Sequence, residues 1–239
     1  MAKNEKEIKL LKKSAEIANS CLPLIEELLK REKITEKEIA QAIRKKIYSQ
    51  GAKLAFQIIV ACGKRSAKIH PKPRVTGKIV SGLGYIDFGA SYKGYKSDVT
   101  VPFIKGKISK KERKIVDATL AAYKIALSSI KIGEQCWKVF EKVDRFLRKR
   151  GFELKHGLGH GLGLKIHEDP HMIVPKRKFK KRKIKWEKIR KMVFENGMVF
   201  TIEPGVYVNK LGGCRIENVF AIENGKIEKL TNAKLIVIE

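Results

Sequence analysis

Four carboxylates and a run of histidines carry the chemistry of this sequence. Asp87 and Asp98 lie in two strand-like runs, Gly84-Tyr-Ile-Asp-Phe-Gly-Ala and Ser97-Asp-Val-Thr-Val. A two-residue turn at Tyr92-Lys93 predicts Asp87 directly opposite Asp98, with Cβ atoms roughly 4.5–5.5 Å apart. Like charges so opposed destabilise a sheet, so a bland account needs one acid turned away, protonated or paired with a lysine. A shared cation removes the conflict. Glu203 and Glu217 repeat the relation across a turn centred on Lys210, with Asn209 and Gly212-Gly213 as turn formers. One such pair is weak evidence; two point to a metal.

The third element is Lys155-His-Gly-Leu-Gly-His-Gly-Leu-Gly-Leu-Lys-Ile-His167, whose four glycines among seven residues argue against a helix. In an extended segment His156 and His160 share a face, and the glycines let other backbone approach closely. Carboxylates plus an imidazole suit hard or borderline ions such as Mn²⁺, Co²⁺ or Fe²⁺ better than a thiolate-rich zinc site. Two such ions roughly 3.5–4 Å apart, bridged by carboxylates, are hydrolytic machinery. Spacing alone does not name the bond that is cleaved.

The elements that must position these groups are legible in outline. Residues 15–30 have apolar positions at helical spacing, with Pro23 kinking or restarting the helix. Thr35 with Glu38, and later Ser109 with Glu112, form capping boxes ahead of apolar-periodic runs; Gly51, Gly133 and Gly151 supply stops. Each helix pair is followed by strands bearing two acids, so the chain reads as a distant duplication. The expected fold is α+β, a curved antiparallel sheet covered by helices, in a single domain over 1–239 whose halves meet near residue 108.

The longest apolar run, around Ala55 to Cys62, falls far short of the ~20 residues of a membrane helix. The polar start, Met1-Ala-Lys-Asn-Glu-Lys-Glu, lacks a secretory pattern, so a cytoplasmic location is expected. Cys21, Cys62, Cys136 and Cys214 lie far apart and read as buried thiols. The formal charge of +28 permits an acidic partner, although abundant lysine throughout also accounts for it.

With these residues assembled, the chain resembles the pita-bread metallopeptidases, the family of methionine aminopeptidases, Xaa-Pro aminopeptidases and prolidases. The resemblance rests on Ile86-Asp-Phe-Gly-Ala, Ser97-Asp-Val-Thr, His156-Gly-Leu-Gly-His-Gly-Leu-Gly, His167-Glu-Asp-Pro, Phe200-Thr-Ile-Glu-Pro-Gly-Val-Tyr and Arg215-Ile-Glu. It implies two divalent ions, manganese first with cobalt, iron or zinc as alternatives, held by Asp87, Asp98, His160, Glu203 and Glu217. Glu203 is then also the proton-transfer group. His-x-x-x-His, Arg-x-Glu and His167-Glu-Asp-Pro look like the Xaa-Pro branch, which implies a peptide substrate with proline second. In that branch His70 and His167 are similar to histidines that contact substrate and the tetrahedral intermediate, His156 to one that aids proton transfer, and Arg215 to a residue that orients a metal-bound carboxylate. A plain ion pair between Arg215 and Glu217, two residues apart on one face, is compatible with that role.

Two features depart from the pattern. Most Xaa-Pro enzymes carry a separate N-terminal domain, and here the chain begins almost directly with the catalytic part. Residues 176–191 form an insertion with eleven basic residues and the single acid Glu187. A protruding basic hairpin or helix is expected there, either a solvated surface or a dock for a polyanion. Beside Xaa-Pro hydrolysis stand two alternatives, a methionine aminopeptidase-like enzyme and a basic binding module that reuses the fold.

Overall fold

The computed structural model describes residues 2–72, 78–79, 81–174 and 186–239. The first half opens with helices α1 (Glu5–Asn19), α2 (Leu22–Lys30) and α3 (Glu36–Tyr48). Pro23 falls in the first turn of α2, where its missing N–H leaves no bond unmade, so the proline restarts the helix rather than kinking it. Thr35 and Glu38 exchange the two hydrogen bonds of a capping box at the start of α3. Strands β1 (Lys53–Leu54), β2 (Ile59–Cys62), β3 (Gly82–Phe88), β4 (Ala90–Tyr92), β5 (Tyr95–Lys96) and β6 (Val99–Lys105) follow, with a 3₁₀ turn at Gly63–Ala67.

A second pair of helices and a second set of strands follow. Helix α4 (Lys110–Ser129), capped by Ser109 and Glu112, and α5 (Cys136–Arg148) precede β7 (Gly159–Gly161), β8 (Glu168–Met172), the short α6 (Trp186–Lys191), β9 (Val199–Ile202), β10 (Gly205–Val208), β11 (Gly212–Arg215), β12 (Asn218–Glu223), β13 (Lys226–Lys229) and β14 (Ile236–Ile238).

The strands form one sheet of order β14-β6-β3-β2 and another of order β13-β12-β9-β7-β8, with the small pairings β1-β4-β5 and β10-β11. The expected antiparallel sheet needs one correction, because β14 lies parallel to β6. The whole second half separates these two strands, and a connection of that length permits parallel entry where a hairpin does not. The two larger sheets meet where the Thr100 amide donates to the Glu217 carbonyl at 3.4 Å and the Glu217 amide donates to the Thr100 carbonyl at 3.1 Å.

Strand alternation separates core from site. Ile86, Phe88, Val99, Val101 and Phe103 pack with residues of α1–α3 in one apolar cluster, so Asp87 and Thr100 take the opposite face. Phe200, Ile202, Cys214 and Ile216 pack with residues of α4 and α5 in the other, which directs Thr201, Glu203, Arg215 and Glu217 away from it. Each fully buried Phe or Ile contributes about 1.5–3 kcal/mol, and both apolar faces hold the polar face in place. The four cysteines are free and buried, as expected. Among the described residues no helix is long and apolar enough to cross a membrane.

Of the basic insertion, residues 186–191 form α6, where Ile189 is buried and Trp186 meets Trp137 edge-on at 5.5 Å. The remainder of the expected projection, up to residue 185, lies outside the described residues.

Candidate metal centre and substrate cleft

The hairpin that carries Asp87 has a different register from the one expected. Asp87 faces Thr100, and Phe88 faces Val99. The turn residues are Lys93 and Gly94, with φ of +49° and +89°, because Ser91 pairs with Lys96 and Tyr92 with Tyr95. A tight hairpin turn needs positive φ at both central positions, and glycine meets that demand best. Asp98 therefore approaches Asp87 from the diagonal position rather than from directly across. The Glu203–Glu217 hairpin keeps its expected register: Gly205 pairs with Arg215, and Ile202 with Asn218.

Glycines flank His160 because backbone presses on both sides. A Cβ at Gly159 would lie 2.0 Å from the Thr201 carbonyl oxygen, and one at Gly161 would lie 2.0 Å from that of Asp169. His160 Nδ1 is 3.1 Å from the Gly161 carbonyl. A carbonyl only accepts, so in the neutral ring Nδ1 carries the proton and Nε2 presents a lone pair. That Nε2 faces carboxylates, at 3.7 Å from Asp98 Oδ2 and 3.6 Å from Glu203 Oε1. A lone pair aimed at two acids, with the second ring nitrogen fixed by a carbonyl, is how metal-binding imidazoles are oriented.

Ligand atoms of Asp98, His160 and Glu217 lie within 4.8 Å of one another, and all three residues are buried. Asp87 Oδ1 and Asp98 Oδ1 are buried with no hydrogen-bond partner. Burial, reinforced by Glu217, Asp87 and Glu203, pushes the Asp98 carboxyl well above the usual range, with Arg215 opposing. Glu217 is pushed to about 8, first by burial and then by Asp87, against the Arg215 charge and the Thr100 hydroxyl, which donates at 2.7 Å. Orphaned carboxylate oxygens and acids driven neutral mark a place that lacks positive charge. A hard or borderline divalent ion fits this donor set.

Arg215 supplies part of that charge. Its Nη2 pairs with Asp87 Oδ2 at 2.5 Å, so the partner is Asp87 and not the Glu217 two residues along. Nη1 donates to the Tyr207 hydroxyl at 2.7 Å and to the Ile69 carbonyl at 3.1 Å, and Nε donates to the Thr100 hydroxyl at 3.2 Å. The guanidinium also lies 4.4 Å from the Tyr85 ring centroid. His156 Nδ1 is 2.7 Å from the Gly157 carbonyl and Nε2 is 3.0 Å from the Tyr207 hydroxyl. With Tyr207 accepting from Arg215, its own proton is free to go to His156. His156 Nδ1 also lies 3.5 Å from Glu203 Oε2. A continuous polar path thus links Asp87, Arg215, Tyr207, His156 and Glu203.

These groups line a cavity of about 320 Å³ that also takes in His70 and His167. The His167 ring sits 4.2 Å from that of His160, while His70 is exposed at the rim. Sequence reasoning missed three contributors. Tyr207 lies on the same strand face as Gly205, after Glu203, and period-two alternation would have found it. His171, the cross-strand partner of His160, was hidden because Glu168-Asp-Pro read as a motif tail and not as a strand. The apolar wall of Phe56, Ile59, Ile69, Ile166 and Ile173 comes from four separate segments and has no local signature.

Residues 9–224 match the model of metallopeptidase family M24. The chain belongs to metallopeptidase family M24. It is 34% identical over 236 residues to a Xaa-Pro dipeptidase of Pyrococcus horikoshii, covering 97% of this chain and 63% of that protein. Among solved structures, prolidase from Pyrococcus furiosus superposes with a TM-score of 0.85 at 33% identity, over 98% of this chain and 66% of that one. The X-Pro aminopeptidase of Thermotoga maritima gives 0.85 at 31%, over 100% and 65%. The fold is the pita-bread fold of these M24 proteins. The chain spans just under two thirds of the length of these relatives.

Proposed function

We propose that this M24 chain is a metal-dependent exopeptidase that cleaves the bond between an N-terminal residue and proline. The observation that carries the reading is His160 Nε2 facing Asp98 and Glu203, beside orphaned oxygens of Asp87 and Asp98. In this reading Asp87, Asp98, His160, Glu203 and Glu217 hold two divalent ions, manganese first. When bound, the ions supply Lewis-acid polarisation of the scissile carbonyl and of the attacking water. Glu203, 3.5 Å from His156, takes the water's proton and passes it to the leaving nitrogen, with His156 as its neighbour in the relay. The proline nitrogen leaves as a secondary amine and must be protonated. Arg215 fixes Asp87, and His70 and His167 offer N–H donors to the carbonyl oxygen as it gains negative charge.

The proposal treats residues 1–239 as one catalytic unit with halves meeting near 108. A cytoplasmic location belongs to the same reading, supported by four buried free thiols. Turnover of Xaa-Pro, Xaa-Pro-Yaa and Met-Ala-Ser peptides with Mn²⁺ tests it. Cleavage confined to proline-containing peptides supports the proposal; preference for Met-Ala-Ser transfers the chain to the methionine aminopeptidase reading. A second reading, contact with a polyanion through residues 176–191, is favoured by their eleven basic residues. Counterion release makes such binding fall steeply with salt, so RNA affinity that is absent or salt-insensitive excludes it.

A further inference from the structure

Glu168, in the His167-Glu-Asp-Pro run, and the N-terminal segment before α1 have no part in the chemistry above, yet they are joined. Lys3 Nζ lies 2.7 Å from Glu168 Oε2, with side chains only 9% and 24% exposed. The Lys3 amide donates to the Gly197 carbonyl at 2.7 Å, and Asn4 immediately caps α1, so the lysine starts from fixed backbone. The other Glu168 oxygen accepts from the Lys165 amide at 2.9 Å. That bond closes a loop over residues 162–168, which is tied further by the Gly163 amide donating to the Lys165 carbonyl at 3.1 Å and the Lys96 amide donating to the Gly163 carbonyl at 2.9 Å.

The pair lies directly on the loop backbone. A Cβ at Gly163 would come within 2.7 and 2.8 Å of the two Glu168 oxygens and 2.8 Å of Lys3 Cε. Burial opposes the charge of Glu168, but the Lys3 ammonium and the Lys165 amide outweigh it and hold the carboxyl below its usual range. The same loop delivers Ile166 and His167 to the cleft.

We propose that Lys3 and Glu168 are positioning residues, with Lys3 clamping Glu168 so that the 162–168 loop holds His167 against the cleft. The inference rests on the reading of His167 as a substrate-facing group. It ties the N-terminal segment to the active site without contact with substrate. Lys3→Met, Lys3→Arg, Glu168→Gln, His167→Ala and Lys3→Met/His167→Ala variants of this chain, tagged at the C-terminus, test it by kcat on an Xaa-Pro peptide. The His167 ring ¹H–¹³C signal in metal-free protein gives a readout independent of turnover. Lys3→Met is expected to lower kcat about tenfold with bound metal unchanged, Lys3→Arg to restore most of the loss, and the His167 signal to shift. In the His167→Ala background the Lys3 effect should vanish. Wild-type kcat and ring signal in both Lys3→Met and Glu168→Gln overturn the proposal, as does a Lys3 effect that persists in full without His167. If His167→Ala keeps full kcat, the reading of His167 fails, and the ring signal alone decides the clamp: shifted supports it, unshifted overturns it.

Discussion

The Asp87 hairpin and the Glu203–Glu217 hairpin bring carboxylates to one cleft, and the charge of Asp87 is met differently from that of Asp98 and Glu217. In the first half Asp87 has a built-in counter-charge in Arg215, itself contributed by the second half. Glu217, which accepts from the Thr100 hydroxyl and shares the field of Arg215, is driven up to about 8, first by burial. Asp98, beside it, is driven up as well. The fold therefore gives Asp87 a fixed counter-charge and leaves the Asp98 and Glu217 carboxyls raised. In the proposed function, Asp98 and Glu217 are the acids whose charge a metal ion would meet.

The largest effect should come from breaking the compensated side. Arg215→Met strands a buried Asp87 charge, and urea denaturation of the metal-free protein is expected to show a loss of about 3–5 kcal/mol. An equal loss in Glu217→Met would erase the distinction between the hairpins. Next come the histidines that each half contributes to the cleft. His70→Ala and His167→Ala should each cut kcat by roughly 10²-fold, as loss of an oxyanion donor does, while bound metal stays nearly intact; loss of metal would instead make that histidine a ligand.

The uncompensated side gives a pH signature in the metal-free protein. Asp98 and Glu217 bind protons more tightly folded than unfolded, so the folded chain retains protons that the unfolded chain releases. The Glu217 contribution is fully present below its unfolded value of 4.5 and is lost as pH rises through about 8, and the Asp98 contribution begins to be lost above its unfolded value of 3.8. The metal-free Tm should fall across that window, the metal-loaded Tm should fall less, and Glu217→Gln should flatten the slope, raising the metal-free Tm at its upper end by about 2–4 °C for each kcal/mol relieved. A metal-free Tm that rises across the window would contradict the assignment. The smallest effect concerns the turns. Lys93 and Lys210 both have positive φ, +49° and +63°. Glycine at either should stabilise by a net of roughly 0.5–1 kcal/mol, the left-handed strain exceeding glycine's entropy cost. Unequal gains by thermal unfolding would show that the two turns are strained differently.

Capping boxes, stops and the Pro23 restart were legible because each is a local contest for a few backbone groups, decided within four residues. The Glu203–Glu217 register was legible for the same reason, with Asn209 and Gly212 bracketing its turn. The Asp87 hairpin was placed wrongly because Gly94, the residue best suited to positive φ, was passed over for Tyr92-Lys93, and that choice moved Asp98 from diagonal to opposite. Other features were beyond local reading. The Arg215–Asp87 pair joins residues 128 apart in sequence, β14 enters its sheet from the far end of the chain, and Lys3 reaches Glu168 across 165 positions. Such contacts follow from how the halves pack, which local periodicity does not encode.

The central claim is that the uncompensated carboxylates and His160 exist to hold metal. Metal per chain, measured by plasma mass spectrometry after Mn²⁺ loading and desalting, tests it in wild type, Asp98→Ala, His160→Ala and Glu217→Ala. Two ions per wild-type chain, with one or none in each variant and turnover lost, is the expected result. Unchanged metal and full turnover in the three variants would contradict the account.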